Sequence, residues 1–261
     1  MSRRQKPRGK KQRPRRQHRP RSVAQAPLDA WSSSRGGAWA SRGFSFQHLV
    51  AGWLAIRLLA NDFAGAKLVP EGLEDVTIES ARSRHIQIKS RGEHLGPFPV
   101  WNASSVIVDA WMRHISRGDE AANLIVVFER GVKGETELDQ FDVPIGRSLS
   151  QDSELRRAIT REAGKQGLSE DGITELFDHT VAFAASWGCL DGESSALLGK
   201  NVENLPPSVL AYLTREIRRV MADIASSNAP VGYADRKSLD RNELMVLVQR
   251  FIEQVDFEAL D

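Results

Sequence analysis

The sequence has few residues that cross-link a fold. Cys189 is the single cysteine among 261 residues, so an internal disulfide framework and any zinc site built on several thiolates are excluded. The six histidines show no spacing typical of metal ligands. We therefore expect a protein of a reducing compartment, whose fold depends on an apolar core in which Cys189 is a small packed residue.

Long apolar runs are also missing. No run reaches the roughly 18 residues that span a bilayer, and the first residues lack the apolar core of a signal peptide. Hydrophobic residues nevertheless make up 41% of the chain, enough for a sizeable core at this length. These features predict a soluble, cytoplasmic protein with no membrane partner.

The formal net charge of +2 hides a strong asymmetry. Residues 1–22 hold 11 Lys and Arg and no acidic residue, so the remaining chain has 25 basic residues against 34 acidic ones. Such a tail cannot bury enough apolar surface to fold, and it would bind polyanions without reading their sequence. The candidate nucleic-acid contacts of the tail include Arg3, Arg4, Lys10, Lys11, Arg15 and Arg16.

The composition and the hydrophobic periodicity of the chain predict three parts. Residues 1–40 are expected to be a disordered basic tail followed by a Ser/Gly/Ala linker. Residues 41–146 predict a buried helix from Gly43 to Asp62, a β-hairpin, an amphipathic helix and an apolar strand. Residues 147–261 predict a mainly helical region, interrupted by a strand near residues 179–187. The chain is thus expected to be an α/β protein with a helical C-terminal region.

The hairpin, "EGLEDVTIESARSRHIQIKSR" at residues 71–91, has polar residues at every second position. Apolar residues point to one side of it, namely Val76, Ile78, Ile86 and Ile88, and polar residues to the other, namely Asp75, Thr77, Glu79, Gln87, Lys89 and Arg91. A three-residue loop sets Asp75 directly opposite Lys89, whereas a five-residue loop makes them diagonal neighbours at roughly 7 Å. Either register gathers a carboxylate, an amide and an ammonium group.

Those groups suit metal-assisted hydrolysis of a phosphodiester. Magnesium prefers oxygen ligands and retains several waters, so one carboxylate, an amide oxygen and a backbone carbonyl are sufficient when a substrate phosphate completes the shell. A lysine beside the metal can orient the attacking water or offset charge in the transition state. The alternative is an ordinary solvated hairpin face with a cross-strand ion pair.

Several segments, taken in order, resemble the PD-(D/E)XK nuclease superfamily. They are "GFSFQ" opening a helix, "VPEGLEDV", "IQIKSR", an amphipathic helix and an apolar strand, together covering about residues 43–130. More narrowly, they resemble the double-stranded DNA endonuclease domains at the N-termini of bacterial anti-phage effectors, including those of CBASS systems. The resemblance implies a restriction-endonuclease-like core, Mg²⁺ or Mn²⁺ as cofactor, double-stranded DNA as substrate and a bacterial cytoplasmic location. It also implies a sensor or activator, supplied by a partner or another domain.

The resemblance assigns roles to individual residues. Asp75 takes the position of the metal-binding aspartate, Lys89 that of the motif lysine, and Gln47 that of the glutamine in the first helix. Gln87 stands where Asp or Glu is usual, so the predicted metal site lacks one negative charge. Glu71 is preferred over Glu74 as an auxiliary ligand, because strand parity would turn Glu74 toward the apolar side.

The sequence therefore predicts a magnesium-dependent endodeoxyribonuclease of a defence system. Its expected catalytic residues are Asp75, Gln87, Lys89 and Gln47, and its expected metal ligands are Asp75, Gln87 and Glu71. Arg91 is expected to contact phosphate, and His85 and His94 are expected to be surface residues beside the site. Two alternatives remain open, a noncatalytic nucleic-acid-binding module and a protein-interaction adaptor that uses the helical region.

Overall fold

A computed structural model of the protein describes residues 26–72, 74–118, 123–135, 153–202 and 204–255, with side chains from residue 41 onwards except that of Glu93. The chain divides into a unit up to Ala38 and a compact unit from Trp39 onwards. In the described ranges, no helix is long and apolar enough to cross a membrane. The basic tail, with Arg3, Arg4, Lys10, Lys11, Arg15 and Arg16, lies outside these ranges.

Helix α1 spans Ala26–Leu59 and includes most of the helix that was predicted from Gly43. The prediction of a linker up to residue 40 is wrong for the backbone from Ala26 onwards, which is helical. Extending a nucleated helix adds one hydrogen bond for each residue that is fixed, so a Ser/Gly/Ala segment can continue a helix whose far end is buried. That far end is nearly all core, from Phe46 to Leu59.

Six strands form one mixed sheet in the order β5-β4-β3-β2-β1-β6. The strands are β1 (Lys67–Pro70), β2 (Val76–Glu79), β3 (Arg84–Lys89), β4 (Asn123–Phe128), β5 (Thr180–Ala184) and β6 (Leu239–Asp240). Strands β1, β2 and β3 are antiparallel neighbours, and β6 pairs antiparallel with β1. Strands β3, β4 and β5 are parallel, so their carboxyl ends lie at one edge of the sheet.

Helices cover both faces of this sheet. The remaining helices are α2 (Val100–Ser116), α3 (Glu154–Lys165), α4 (Glu170–His179), α5 (Trp187–Asn201), α6 (Pro207–Asn228) and α7 (Arg241–Gln254). Helices α1, α5, α6 and α7 pack on one face, and α2, α3 and α4 pack on the other. The protein is therefore mixed α/β, as predicted, and strands β5 and β6 of the C-terminal region belong to the same sheet as the hairpin.

The hairpin adopts the five-residue alternative. Val76 pairs with Ile86, and Ile78 pairs with Arg84. The four apolar residues of the hairpin, Val76, Ile78, Ile86 and Ile88, are buried as predicted.

The second face of the hairpin is covered rather than solvated. Thr77 is fully buried, and its Oγ1 lies 3.2 Å from Nδ1 of His85. The prediction that His85 is a surface residue is wrong, because α2 packs on this face and the ring of its His114 lies 5.2 Å from the ring of His85. Polar strand residues are buried here because helices cover both faces of the sheet.

Candidate active site

A tight turn between β1 and β2 positions Asp75. Glu71 has a left-handed backbone with φ 50°, and its N–H donates to the carbonyl oxygen of Asp75 at 2.8 Å. A Cβ at Gly72 would lie 2.2 Å from Oγ1 of Thr77, so only glycine allows the turn to pack this closely. The turn thus holds Asp75 at the start of β2.

The Asp75 carboxylate accepts hydrogen bonds on both oxygens. Nε2 of Gln47 donates to Oδ1 at 2.9 Å, while the backbone N–H of Ile88, at 2.6 Å, and Nε2 of Gln87 donate to Oδ2. Burial raises the pKa of Asp75, and the bond from Ile88 and the charge of Lys89 only partly oppose that rise. The carboxylate is therefore firmly oriented, but its negative charge is incompletely compensated.

Two further ionisable groups lie within electrostatic range of Asp75. Lys89 is the last residue of β3, is half-buried and acts on Asp75 through its positive charge. Burial and then the charge of Asp75 raise the pKa of Glu71, while Arg236 lowers it. Asp75 thus has a cation and a second carboxylate as neighbours.

Gln87 connects Asp75 to helix α2. Its Nε2 faces Asp75, and its Oε1 accepts from Nη2 of Arg113 at 2.7 Å. Arg113 also bonds Glu74 through Nη2 at 3.1 Å, and Arg117 bonds the same carboxylate at 3.0 Å. Because β2 begins at Val76, the parity argument does not extend to Glu74. Its side chain turns to Arg113 of α2 and to Arg117 directly after α2, instead of to the apolar core.

The oxygen donors around Asp75 fit a hard cation. Oε1 of Gln47 is buried and, within the described part of the chain, has no hydrogen-bond partner. A buried amide oxygen without a partner indicates a place for a water or an ion. The Asp75 carboxylate, this oxygen and the nearby Glu71 are donors of the type that Mg²⁺ prefers. Over the described ranges, no three His, Cys, Asp or Glu side chains group as metal ligands, so such a site would rely on amide oxygens and water.

The amide oxygen of Gln87 is bonded to Arg113 in this structure, and the role of Gln87 as a metal ligand stays a prediction. A guanidinium group has only donors, so Arg113 donates to the amide oxygen of Gln87, and the amide nitrogen of Gln87 faces Asp75. In this arrangement Gln87 orients the carboxylate and has its oxygen occupied. The position of Arg113 on α2 depends on helix packing, which the spacing of the strand motif does not reveal.

A second buried carboxylate, Glu129, lies next to the candidate site. Its backbone N–H donates to the carbonyl oxygen of Lys89 at 2.8 Å. The donors to its carboxylate are Nη2 of Arg42, Nε1 of Trp187 at 2.8 Å, Oγ of Ser90 at 2.6 Å and N–H of Arg91 at 2.8 Å. Burial would raise the pKa of Glu129, but these hydrogen bonds outweigh it, and the pKa lies below its ordinary value. Sequence reasoning missed Glu129, although an acid directly after a densely apolar strand was a usable signal.

An open cleft of about 740 Å³ lies beyond Glu129, at the carboxyl ends of β4 and β5. Arg42, Arg130 and the first turn of α5 line it, and Cys189 is exposed there rather than packed as predicted. Arg91 does not point freely into solvent, because its guanidinium donates to the carbonyl oxygen of Leu95 at 3.3 Å and lies 5.4 Å from the ring centre of Phe98.

Comparison with known proteins gives a fold likeness. No family model matches the chain, and no curated protein matches it. The Acinetobacter baumannii Cap4 SAVED/CARF-domain containing receptor with the cyclic trinucleotide 2'3'3'-cAAA is 12% identical, with a TM-score of 0.51, over 81% of this chain and 45% of that chain. The Moraxella osloensis Cap4 receptor is 11% identical, with a TM-score of 0.47, over 81% of this chain and 48% of that chain. This chain thus spans less than half the length of these receptors.

Proposed function

We propose that this chain is a metal-dependent DNA endonuclease of bacterial anti-phage defence. The observation that carries the proposal is the Asp75 carboxylate, which Gln47, Gln87 and the backbone of Ile88 hold in place while its charge stays incompletely compensated. A buried carboxylate with these properties is suited to bind a divalent cation, and Lys89 stands beside it. The sequence resemblance to PD-(D/E)XK nucleases supports the same chemistry.

Each residue of the candidate site would have its own role in phosphodiester hydrolysis. A bound Mg²⁺ would polarise the phosphate and lower the pKa of a coordinated water. Asp75 and Gln47 would hold the ion with their oxygens, and Glu71 would add a carboxylate. Lys89 would orient the attacking water and offset the charge of the transition state. The water oxygen bonds to phosphorus as one ester bond breaks, which leaves a phosphate monoester and an alcohol.

The defence context rests on the fold likeness and the sequence motifs together. The Acinetobacter protein is a receptor whose structure holds a cyclic trinucleotide, and the chain resembles part of it in fold. We propose that double-stranded DNA is the substrate and that a sensor, as a partner or another domain, controls cleavage. The basic tail would raise the affinity for DNA through sequence-independent phosphate contacts.

A second candidate function is recognition of a cyclic oligonucleotide by the chain itself. It is favoured by the cleft of about 740 Å³, which two arginines line at the carboxyl edge of parallel strands. Ligands of α/β proteins often bind at that edge. Titration with 2'3'3'-cAAA in the presence of a chelator distinguishes the two, because receptor function predicts saturable binding that Arg130→Ala weakens and that needs no metal.

Nicking of supercoiled plasmid by the purified protein in Mg²⁺ or Mn²⁺ tests the nuclease proposal. We expect cleavage that a chelator stops and that Asp75→Asn removes. Mn²⁺ binding measured by calorimetry on the same samples tests the ion site without DNA. If the parent protein at high concentration neither nicks the plasmid nor binds Mn²⁺, the proposal is overturned.

A further inference from the structure

Two glutamine amides flank Asp75, and their surroundings differ. Gln87 is held from both ends, because Nη2 of Arg113 donates to its oxygen while its nitrogen donates to Asp75. Gln47 is held from one end only. Its nitrogen donates to Oδ1 of Asp75, and its buried oxygen has no partner among the residues that the structure describes.

Donor and acceptor chemistry fixes the direction of the Gln87 amide. A guanidinium group can only donate and a carboxylate can only accept, so turning the amide over would set donor against donor and acceptor against acceptor. Arg113 is itself anchored by Glu74, whose side chain is only 6% exposed and which Arg117 also binds. The direction of the Gln87 amide is therefore fixed at both ends, by Asp75 and by Arg113 of helix α2.

We propose that Arg113 is a positioning residue that keeps the Gln87 oxygen away from Asp75, so that the amide oxygen of the metal site comes from Gln47. The inference rests on the proposed function for its metal ion. The amide direction can nevertheless be measured without metal or DNA.

One consequence concerns the charge of the site. Gln87 stands where the nuclease motif usually has a carboxylate, and here that position faces a cation of α2. With Arg113 in place, Gln87 is a donor that steadies Asp75, and the ion site has Asp75 as its main carboxylate. Removal of Arg113 would free a second amide oxygen for the ion while loosening Asp75. Ion affinity and turnover should then move in opposite directions.

The first test observes the Gln87 side-chain amide in nitrogen–proton correlation spectra, assigned by its loss in Gln87→Leu. We expect its two amide protons to be well separated in the parent and in Arg117→Met, since one of them is bonded to Asp75. In Arg113→Met the separation should shrink toward that of a solvated glutamine, because the amide loses the bond that anchors its oxygen and can turn. Arg117 is the matched control, because it binds the same Glu74 carboxylate from the C-cap position directly after α2. An unchanged Gln87 signal in Arg113→Met would overturn the proposal.

The second test compares Mn²⁺ affinity in a set of variants. Gln47→Leu should weaken Mn²⁺ binding by about 10-fold or more, and Gln87→Leu by less than about threefold. Arg113→Met should tighten Mn²⁺ binding more than Arg117→Met does. This difference in Mn²⁺ affinity should vanish when both substitutions are made in the Gln87→Leu background, because Arg113 acts through Gln87. A mere loosening of the site would weaken binding in Arg113→Met. A larger loss in Gln87→Leu than in Gln47→Leu would contradict the proposal.

The outcomes separate this inference from the proposed function. If the Mn²⁺ pattern holds but no plasmid is cut, Arg113 positions Gln87 in an ion site that is not a nuclease. If plasmid is cut but Gln87→Leu loses Mn²⁺ while Gln47→Leu keeps it, the nuclease proposal stands and the role given to Arg113 fails.

Discussion

Two carboxylates on the strands that flank β3 have opposite hydrogen-bond environments. Asp75, before β2, receives amide and backbone donors, and burial leaves its pKa raised. Glu129, after β4, receives an arginine, an indole, a hydroxyl and a backbone N–H, and its pKa is lowered. Both are oriented by hydrogen bonds, but only Glu129 has its charge balanced within the fold. We infer that Glu129 stabilises the edge of the sheet, whereas Asp75 is available to bind a cation.

The largest expected effect follows from neutralising Asp75. Asp75→Asn should lower Mg²⁺-dependent plasmid cleavage by at least about 100-fold, because an ion that supplies several kcal/mol of transition-state stabilisation loses its main ligand. The fold should tolerate the change, since Gln47 can turn its unpaired oxygen toward the new amide. Cleavage rates and thermal unfolding of the same sample measure both effects. If Asp75→Asn cleaves plasmid as fast as the parent protein, Asp75 has no role in the mechanism.

The matched substitution at Glu129 should act on stability instead. Each oxygen of Glu129 accepts from two donors, so the amide nitrogen in Glu129→Gln would face donors in either orientation. We expect a loss of about 3 kcal/mol in the free energy of unfolding, measured by urea denaturation. A loss no larger than that of Asp75→Asn would contradict the contrast between the two sites.

The two carboxylates should also give opposite pH dependences without metal. A lowered pKa means that Glu129 stabilises the fold above its unfolded pKa, and that this contribution is lost as the pH falls through the folded pKa. For Asp75 the folded state favours the proton, so stability is lost as the pH rises through the raised pKa. The stability deficit of Glu129→Gln relative to the parent should therefore shrink toward acid pH. The free energy of unfolding of Asp75→Asn should rise relative to the parent toward neutral pH. Urea denaturation across this range measures both trends.

The smallest effect is expected from the basic tail. Deleting residues 2–22 should weaken DNA binding and flatten its dependence on salt, because phosphate contacts release counterions. Cleavage at saturating DNA should persist. Binding isotherms at several salt concentrations, with cleavage at saturation, check this expectation. Loss of cleavage at saturation would show that the tail does more than recruit DNA.

The hairpin shows how far the sequence predicts the site. Alternation along β2 and β3 correctly predicted which residues face the core, and parity placed Asp75 and Gln87 on the same side of the hairpin. The alternation leaves the register open between two loop lengths, because both satisfy it. The length of the turn that closes the hairpin decides between the two registers. That length depends on contacts that form only in the folded protein.

What the sequence did not predict depends on packing between distant segments. Arg113, Arg42 and Glu129 reach the site from α2, α1 and the end of β4, and no local spacing relates them to Asp75 or Lys89. The surface position predicted for His85 is wrong for the same reason, since its burial requires α2 to cover that face. Strand parity gives the direction of a side chain but does not reveal what covers it.

The most direct test of the account compares Lys89→Ala with Arg91→Ala in Mg²⁺-dependent cleavage of supercoiled plasmid. Both substitutions remove one cation from the same segment, but only Lys89 lies beside Asp75, while Arg91 bonds the carbonyl oxygen of Leu95. We predict that Lys89→Ala abolishes cleavage while folding and DNA binding persist, and that Arg91→Ala retains cleavage with weaker binding. If Lys89→Ala cuts as fast as the parent protein, the nuclease assignment at this site is wrong.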